Sequence, residues 1–226
     1  TQNDLVKKEK LSAIGELTAR ISHDLRNPVG VIKLTIQSIE LRLSNNLDPK
    51  LGEYLPILND AVLRINHQIN QVLRFVKTIP LDTKLVSLGK ILDDAIKGTA
   101  IPKNVTIMIP DEDYTLMADK IQLSAAFGNI LSNAVDAIGE DEGRITIRAR
   151  NEKNTLILEF EDSGDGISKE NISKIFDPLF TTKQYGTGLG LSSVRAIIEA
   201  HKGTISVKSP PTVFTVTLPL DPKAGK

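Results

Sequence analysis

The most informative stretch of the N-terminal part of the chain is Ser22-His23-Asp24-Leu25-Arg26-Asn27-Pro28, which lies inside the first of two long helical patterns. A histidine followed directly by an acid offers a nucleophilic imidazole and a group that can orient it. Pro28 removes a backbone donor inside the helical pattern, so we expect a kink just after His23. His23 lies roughly 200° around the helix from both Ile21 and Leu25, so its imidazole is expected to face solvent.

Apolar residues recur at alternating spacings of three and four along two segments, a pattern typical of coiled coils and antiparallel bundle helices. The first segment carries Leu11, Ile14, Ile21, Leu25, Val29, Ile32, Ile36, Ile39 and Leu43, with Thr18 at the one polar position of the series, and the second carries Leu51, Leu55, Leu58, Val62, Ile65, Ile69, Val72 and Val76. We therefore predict a helical hairpin over residues 1–78. A hairpin buries only one stripe per helix, so we expect two copies to form a four-helix bundle, and hence a homodimer.

The pattern changes to mixed α/β beyond a segment at 79–85 that we predict to be a hinge, and residues 86–222 are predicted as a second domain. Helices are predicted over 89–100, 120–138 and 190–201, and strands over 105–109, 144–150, 156–161, 204–208 and 212–218. Strands beside helices predict an α+β sandwich with helices on one face of a mostly antiparallel sheet.

Composition limits the classes of function. Lys and Arg total 28 and Asp and Glu total 28 in a chain of 226 residues, so net charge does not indicate a nucleic-acid or membrane-surface partner. The absence of cysteine excludes disulfides and thiolate metal sites and favours a reducing compartment. No apolar run approaches the ~20 residues of a membrane span. We therefore expect a cytoplasmic location, with membrane attachment only through segments absent from this chain.

Two asparagines lie four residues apart in Phe127-Gly128-Asn129-Ile130-Leu131-Ser132-Asn133-Ala134-Val135-Asp136-Ala137. This spacing predicts that Asn129 and Asn133 share one helix face, while the buried face is predicted to hold Phe127, Ile130, Leu131, Ala134 and Ile138. Amide oxygens can ligate Mg²⁺ while phosphates and water complete its shell. The alternative is that both are polar residues on the wet side of an amphipathic helix.

A first glycine turn, Asp162-Ser163-Gly164-Asp165-Gly166-Ile167, follows an apolar strand. A carboxylate at a strand end can accept a hydrogen bond from the amino group of adenine, and the glycines let the backbone approach closely and turn sharply. The alternative is a plain glycine-containing turn.

A second glycine turn, Gly186-Thr187-Gly188-Leu189-Gly190, opens a helix and is suited to cradle phosphates with free backbone amides. It is neither a Walker loop nor a Rossmann fingerprint. Just upstream lies a segment that we call the Phe segment, Ile175 to Lys183, whose Lys183 could reach a terminal phosphate as a mobile cation. The alternative is a solvated surface lysine. His67 and His201 are predicted to be ordinary residues of a bundle face and a turn.

These motifs, in this order, resemble the catalytic core of the two-component sensor histidine kinases. His23 to Pro28 resembles the H box, Asn129 to Ala137 the N box, Asp162 to Ile167 and Gly186 to Gly190 the two Gly boxes, and Phe176 to Lys183 the F box. The resemblance implies a dimerisation and phosphotransfer hairpin followed by an ATP-binding sandwich of the histidine kinase, heat-shock chaperone and topoisomerase type. It also implies transfer of phosphate from ATP to His23, and onward to an Asp of a response regulator receiver domain.

The resemblance also implies a role for each matching residue. His23 would accept the phosphoryl group, Asp24 would orient the imidazole and accept its proton, and Asn27 would position water when the kinase acts as a phosphatase. Asn133 would bind Mg²⁺, with Asn129 assisting. The ATP site would comprise Asn129, Asn133, Asp136, Asp162, Gly164, Gly166, Ile167, Phe180, Thr181, Thr182, Lys183, Gly186, Thr187, Gly188, Leu189, Gly190 and Leu191.

The sequence also departs from many relatives, since Asp136 and Ala137 stand where a Lys and an aromatic commonly follow the N-box Asn-Ala. Two other functions stay open at this stage. The ATP hydrolases that share this nucleotide fold place a Glu general base where this chain carries Asn129, and an amide cannot take a proton from water. A dimeric scaffold that only binds nucleotide would not need His23 and Asp24.

Overall fold

The computed structural model describes residues 29–37, 39, 55–59, 62, 65, 80–183 and 187–220. The chain divides into two compact units, Thr1–Ile79 and Pro80–Lys226. The predictions made for His23, Asp24, Asn27, Pro28, His67 and Gly186 lie outside the described residues.

In the N-terminal unit, residues 29–37 and 55–59 are helical, as the apolar spacing predicts. Val29, Ile36, Leu55 and Val62 form one buried cluster. The alternate members of the same two stripes, which are Ile32, Ile39, Leu58 and Ile65, remain between 37% and 48% exposed. Among the described positions, residues seven apart therefore share one environment, and a single chain buries only every second member of the two stripes.

The C-terminal unit contains four described helices and seven described strands. The helices are α1 (Leu88–Lys97), α2 (Lys120–Ile138), α3 (Lys169–Ile172) and α4 (Gly190–Ala200). The strands are β1 (Lys84–Ser87), β2 (Val105–Met108), β3 (Thr115–Ala118), β4 (Gly143–Glu152), β5 (Thr155–Asp162), β6 (Thr204–Lys208) and β7 (Thr212–Pro219).

The main sheet has five strands in the order β2-β4-β5-β7-β6, and β1 and β3 form a separate antiparallel pair. Only the β2–β4 pairing within this sheet is parallel, so the mostly antiparallel prediction is confirmed. Side chains of β5 alternate in burial, and the Phe160 ring meets the Phe127 ring of α2 with centroids 5.2 Å apart. Helices α2 and α4 pack on the main sheet, and α1 packs against α2, as in an α+β sandwich.

The helices and strands predicted for the C-terminal unit are confirmed, and 120–138 and 204–208 match α2 and β6 at both ends. Three short elements were not predicted, β1, β3 and α3. Each has four residues, which is too short for a periodic pattern to stand out. Because β1 begins at Lys84, the last two residues of the segment predicted as a hinge, 79–85, belong to a strand. None of the described helices combines the length and apolar character that crossing a bilayer requires.

Candidate nucleotide site

Helix α2 carries Asn129 and Asn133 of the candidate site. Asp119 caps its first turn by accepting a hydrogen bond from the Gln122 amide at 3.1 Å. The predicted apolar face is buried as expected: Phe127, Ile130, Leu131, Ala134 and Ile138. Asn129 is also buried, at 8% exposure, whereas Asn133 is partly exposed. The alternative of two polar residues on the wet side of the helix is therefore wrong for Asn129.

Lys183 reaches from the end of the Phe segment to the partly exposed side of α2. Its Nζ donates to Asn133 Oδ1 at 2.6 Å and to Asp136 Oδ2 at 2.5 Å. The Lys183 side chain is 44% exposed, as the alternative of a solvated surface lysine predicts, but it is also paired with two oxygens of α2. Thr181 shapes this segment, because its Oγ1 accepts a hydrogen bond from the Lys183 amide at 3.1 Å. Thr181 and Thr182 are themselves exposed.

The geometry around Lys183 Nζ is a test of whether these residues suit a metal ion. No group of three or more His, Cys, Asp or Glu in the described part of the chain could hold one. Asn133 Oδ1 and Asp136 Oδ2 nevertheless converge on one cationic nitrogen. Oxygen donors of this kind are those that Mg²⁺ prefers, with phosphates and water supplying its remaining ligands. The donor set therefore fits a magnesium ion bound together with a nucleotide.

The first glycine turn begins at Asp162, the last residue of β5. Asp162 is 4% exposed, and its Oδ1 accepts a hydrogen bond from the Gly164 amide at 3.0 Å. Burial raises the pKa of the Asp162 carboxyl, and the Gly164 hydrogen bond offsets part of that rise. A buried acceptor at this position can select a hydrogen-bond donor such as an exocyclic amino group.

Two close contacts hold this turn in place. A Cβ on Gly164 would lie 2.6 Å from the carbonyl carbon of Ala137, so the turn lies directly against the last turn of α2. The Ile167 amide donates to Ser209 Oγ at 2.7 Å, which ties the turn to the connection between β6 and β7. Ser209-Pro210-Pro211-Thr212 stands where relatives usually have a Gly-rich turn, but the contact of Ser209 with Ile167 was not predicted, because the two residues lie 42 apart along the chain.

The second glycine turn is joined to the Phe segment through the backbone. The Leu179 amide donates to the Gly188 carbonyl at 3.0 Å. Gly188 has φ of +66°, and a Cβ there would lie 2.3 Å from the carbonyl carbon of Leu179. Only glycine meets both conditions without strain. Lys183 and the beginning of α4 are thereby held on the same side of the unit.

Helix α4 begins at Gly190 without a side-chain cap. Leu189 occupies the cap position and its side chain makes no capping hydrogen bond. The first amides of such a helix, at Gly190 and Leu191, point toward the space before it and favour an anion there. Thr187 supports the approach to the helix, since its Oγ1 accepts a hydrogen bond from the Leu189 amide at 3.3 Å.

Several predicted site residues serve the packing around the turns. Leu189 is buried, and Ile167, Phe180 and Leu191 are partly buried against the main core. The Arg195 guanidinium lies over the Phe176 ring at 4.4 Å, and this ring meets Phe214 edge-on at 6.3 Å. These contacts anchor the Phe segment to α4 and β7. Arg195 was not singled out from the sequence either.

His201 is buried at 7% exposure, which the interpretation as an ordinary turn residue did not anticipate. Its Nε2 accepts a hydrogen bond from the Asp119 amide at 3.0 Å, and its Nδ1 lies 2.8 Å from the Ile197 carbonyl. The Asp119 carboxylate also accepts from the Asp82 amide at 3.1 Å. Burial alone would raise the pKa of Asp119, but hydrogen bonds from Gln122 and Asp82 lower it below its ordinary value.

Comparison with known proteins identifies both units. Residues 13–79 match the family model described as the His Kinase A (phospho-acceptor) domain. Residues 118–222 match the model described as histidine kinase-, DNA gyrase B-, and HSP90-like ATPase. The second range contains α2 and the described parts of both glycine turns.

Curated relatives align along the whole chain. It is 34% identical over 235 residues to the signal transduction histidine-protein kinase AtoS of Escherichia coli (strain K12), covering 100% of this chain and 38% of AtoS. It is 33% identical over 223 residues to the sensor histidine kinase ZraS of Salmonella typhi, covering 95% of this chain and 47% of ZraS. The chain thus spans less than half the length of these two relatives.

Solved structures show the same architecture. The histidine kinase ThkA, in complex with the response regulator protein TrrA, superposes with a TM-score of 0.64 at 27% identity, covering 98% of this chain and 66% of that one. Full-length ShkA in complex with AMPPNP has a TM-score of 0.72 at 21% identity, and the superposition covers 93% of this chain and 47% of ShkA. At this identity the likeness supports the fold alone. The chain belongs to the histidine kinase family and is a two-component histidine kinase catalytic core, a phospho-acceptor domain followed by an ATPase domain.

Proposed function

We propose that this chain phosphorylates itself on His23 with ATP and then passes the phosphoryl group to an aspartate of a separate response regulator. The observation that carries the proposal is the order of two family matches in one chain. The phospho-acceptor match contains His23, and the ATPase match contains the candidate nucleotide site. A chain with both parts has a nucleophile and a phosphoryl donor site for one reaction.

The nucleotide is proposed to lie along the two glycine turns. Asp162 accepts a hydrogen bond from the adenine amino group, and Gly164 and Gly166 line the base pocket. The phosphates lie at the beginning of α4, against the backbone of Gly188 and Gly190. The buried position of the Asp162 carboxylate and the uncapped beginning of α4 support this assignment.

Asn133 is proposed to hold Mg²⁺ together with the phosphates, with Asp136 beside it and Asn129 assisting from one turn earlier. The convergence of Asn133 Oδ1 and Asp136 Oδ2 on one cation supports this assignment. When bound, the ion offsets negative charge on the phosphate oxygens. Lys183 contributes a further positive charge near the terminal phosphate.

In the proposed chemical step, a neutral nitrogen of His23 attacks the γ-phosphorus in line. The N–P bond forms as the bond to the bridging oxygen breaks, and ADP leaves with that electron pair. Asp24 orients the imidazole and takes its proton. Asn27 acts in the phosphatase reaction, in which it positions the water that removes phosphate from the regulator.

A response regulator is the proposed acceptor. ThkA, which is 27% identical over 98% of this chain, was solved in complex with such a protein. The sensor histidine kinases among the relatives support the same class of partner. The reaction requires ATP, so we propose a cytoplasmic location, with any membrane attachment in segments outside this chain.

A homodimer is the proposed working form. Of the stripe positions that the structure describes, Val29, Ile36, Leu55 and Val62 are buried within one chain, while Ile32, Ile39, Leu58 and Ile65 stay exposed. A second copy of the same hairpin presents matching apolar positions, and pairing them completes a four-helix bundle.

The test is incubation with γ-labelled ATP and Mg²⁺, followed by acid and base treatment of the protein. A kinase retains label that is stable in base and labile in acid. The His23→Gln variant should lose the label while retaining ATP binding, and His67→Gln serves as the matched control that keeps it. Label that persists in His23→Gln would remove this residue from its role. Release of free phosphate without labelling would indicate a hydrolase, and neither result would indicate a nucleotide-binding scaffold.

A further inference from the structure

We propose that Lys183 is a built-in cation that occupies the metal position of the site before nucleotide arrives, and that Mg²⁺ displaces it. Asp136 is the residue that retains Lys183 there. This inference rests on the proposed ATP site and deepens it, because it assigns a competition between a side chain and the ion. The exchange transfers the ammonium from protein oxygens to phosphate oxygens.

The first argument is the geometry of the three groups. Lys183 lies 50 residues from Asn133 and 47 from Asp136 along the chain, yet its Nζ is within 2.6 Å of an oxygen of each. Asn133 and Asp136 are three residues apart on α2 and therefore share one helix face. Charge-assisted hydrogen bonds of this length are among the stronger polar contacts in proteins.

The second argument is that Lys183 and Mg²⁺ would compete for the same oxygens. Mg²⁺ binds its oxygen ligands at about 2.1 Å, so an ion on Asn133 Oδ1 would lie within about 5 Å of an ammonium on the same oxygen. The two like charges repel, and Lys183 already occupies one acceptor site on each of the two oxygens. Binding of the ion is therefore weakened while Lys183 stays, and departure of Lys183 favours it.

The third argument is that Lys183 can leave by rotation of its own side chain. Phe180 packs against the main core, and the Leu179 amide is bonded to the Gly188 carbonyl, so the backbone three residues away is anchored. The lysine stem has four flexible carbons, and its side chain is 44% exposed. Phosphates at the beginning of α4 would offer the ammonium new acceptors.

The simpler alternative is an exposed ion pair with no role in metal binding. Lys183 and Asp136 side chains are 44% and 50% exposed, and pairs of that kind contribute little to stability. The two ideas differ in what removal of Lys183 does to metal affinity. If the ion pair has no role, removal of Lys183 leaves metal affinity unchanged or lowers it. If Lys183 competes with the ion, its removal raises metal affinity.

The experiment measures Mn²⁺ binding by electron paramagnetic resonance in the presence of ADP, which lacks the terminal phosphate that would attract Lys183. Lys183→Met should bind Mn²⁺ roughly twofold to fivefold more tightly than the wild type, as expected for removal of a half-exposed competing charge. With a non-hydrolysable ATP analogue the advantage should shrink or reverse, because the contact of Lys183 with the terminal phosphate is lost. Lys174→Met removes another exposed lysine near the Phe segment and should match the wild type in both nucleotides.

Unchanged or weaker Mn²⁺ binding by Lys183→Met with ADP, in a protein that binds both nucleotides, would overturn the competition and leave the proposed kinase function standing. A wild type that binds neither nucleotide would overturn both. Unfolding midpoints are measured on the same samples, and a metal-affinity gain with an unchanged midpoint supports competition over a structural effect.

Discussion

The backbone amide of Asp119 donates a hydrogen bond to Nε2 of His201 at 3.0 Å, and this contact joins the beginning of α2 to the end of α4. On the other side of the ring, Nδ1 lies 2.8 Å from the Ile197 carbonyl and must donate to it, so the partners assign a neutral imidazole. The two helices that carry Asn133 and the second glycine turn are thereby held together at the ends remote from the site.

Replacement of His201 should destabilise the C-terminal unit. In His201→Ala the buried Asp119 amide loses its acceptor, which we expect to cost about 1–3 kcal/mol in the free energy of unfolding. The measurement is urea unfolding followed by circular dichroism. Glu199→Ala, at an exposed position on the same helix, is the control and should stay within about 0.5 kcal/mol of the wild type. A His201→Ala change equally small would show that the hydrogen bond contributes little.

Asp119 should also make stability depend on pH in the acidic range. Its folded pKa is lowered below the ordinary 3.8, so its contribution is present above the ordinary value and is lost as pH falls toward the folded value. Asp119→Asn keeps a capping acceptor but removes the titration. The stability difference between wild type and variant should therefore be largest near neutral pH and should shrink below about pH 4. A difference that stays constant with pH would contradict this assignment.

Asp162 should behave in the opposite sense. Burial raises its folded pKa, so its favourable contribution is complete below the ordinary value of 3.8 and is lost as pH rises through the folded pKa. Above the folded pKa, the buried ionised carboxylate therefore lowers the free energy of unfolding. We expect Asp162→Asn to unfold at higher urea than the wild type at pH 7, and to lose that advantage at low pH.

The same variant should bind ATP more weakly, because the amide is a poorer acceptor than a carboxylate for the adenine amino group. Isothermal titration with a non-hydrolysable analogue measures this loss. Asp165→Asn, on an exposed residue of the same turn, is the control for both measurements. Tight ATP binding by Asp162→Asn would remove Asp162 from the base pocket.

The two glycines around Leu189 should respond differently to alanine. Gly188→Ala places a Cβ 2.3 Å from the Leu179 backbone at a φ of +66°, so it should cost more than about 1 kcal/mol in the free energy of unfolding. Gly190→Ala meets no atom within 4 Å and begins α4, where alanine can gain up to about 1 kcal/mol. Equal unfolding midpoints for the two variants would mean that the contact between Gly188 and Leu179 relaxes freely.

The exposed heptad positions should control association. Ile32→Lys removes a half-exposed apolar side chain, whose remaining burial in a dimer is worth about 0.7–1.5 kcal/mol per copy, and adds a charge. We expect sedimentation equilibrium to show a shift from dimer to monomer. Gln37→Lys adds the same charge at an exposed position outside the stripe and should leave the dimer intact. A dimeric Ile32→Lys protein would indicate that another surface carries the interface.

Local pattern was sufficient for the longer elements. The spacing of apolar residues predicted α2 over Lys120–Ile138 at both ends, since one side of a helix that packs on a sheet must be apolar along its length. It did not predict that Asn129 is buried, because the identity of a side chain does not reveal which neighbour covers it. The four-residue strands β1 and β3 were not predicted for a related reason, because their pairing with each other rather than their sequence defines them.

By itself, the sequence determined the order of two domains and the presence of residue types that suit a histidine phosphoacceptor and a nucleotide pocket. Only the tertiary structure decided which of these residues meet. It joined Lys183 to Asn133 and Asp136, and Asp119 to His201 across 82 residues. Local periodicity specifies which side of an element faces the core, whereas contacts between distant side chains depend on strand order and on how the helices pack over the sheet.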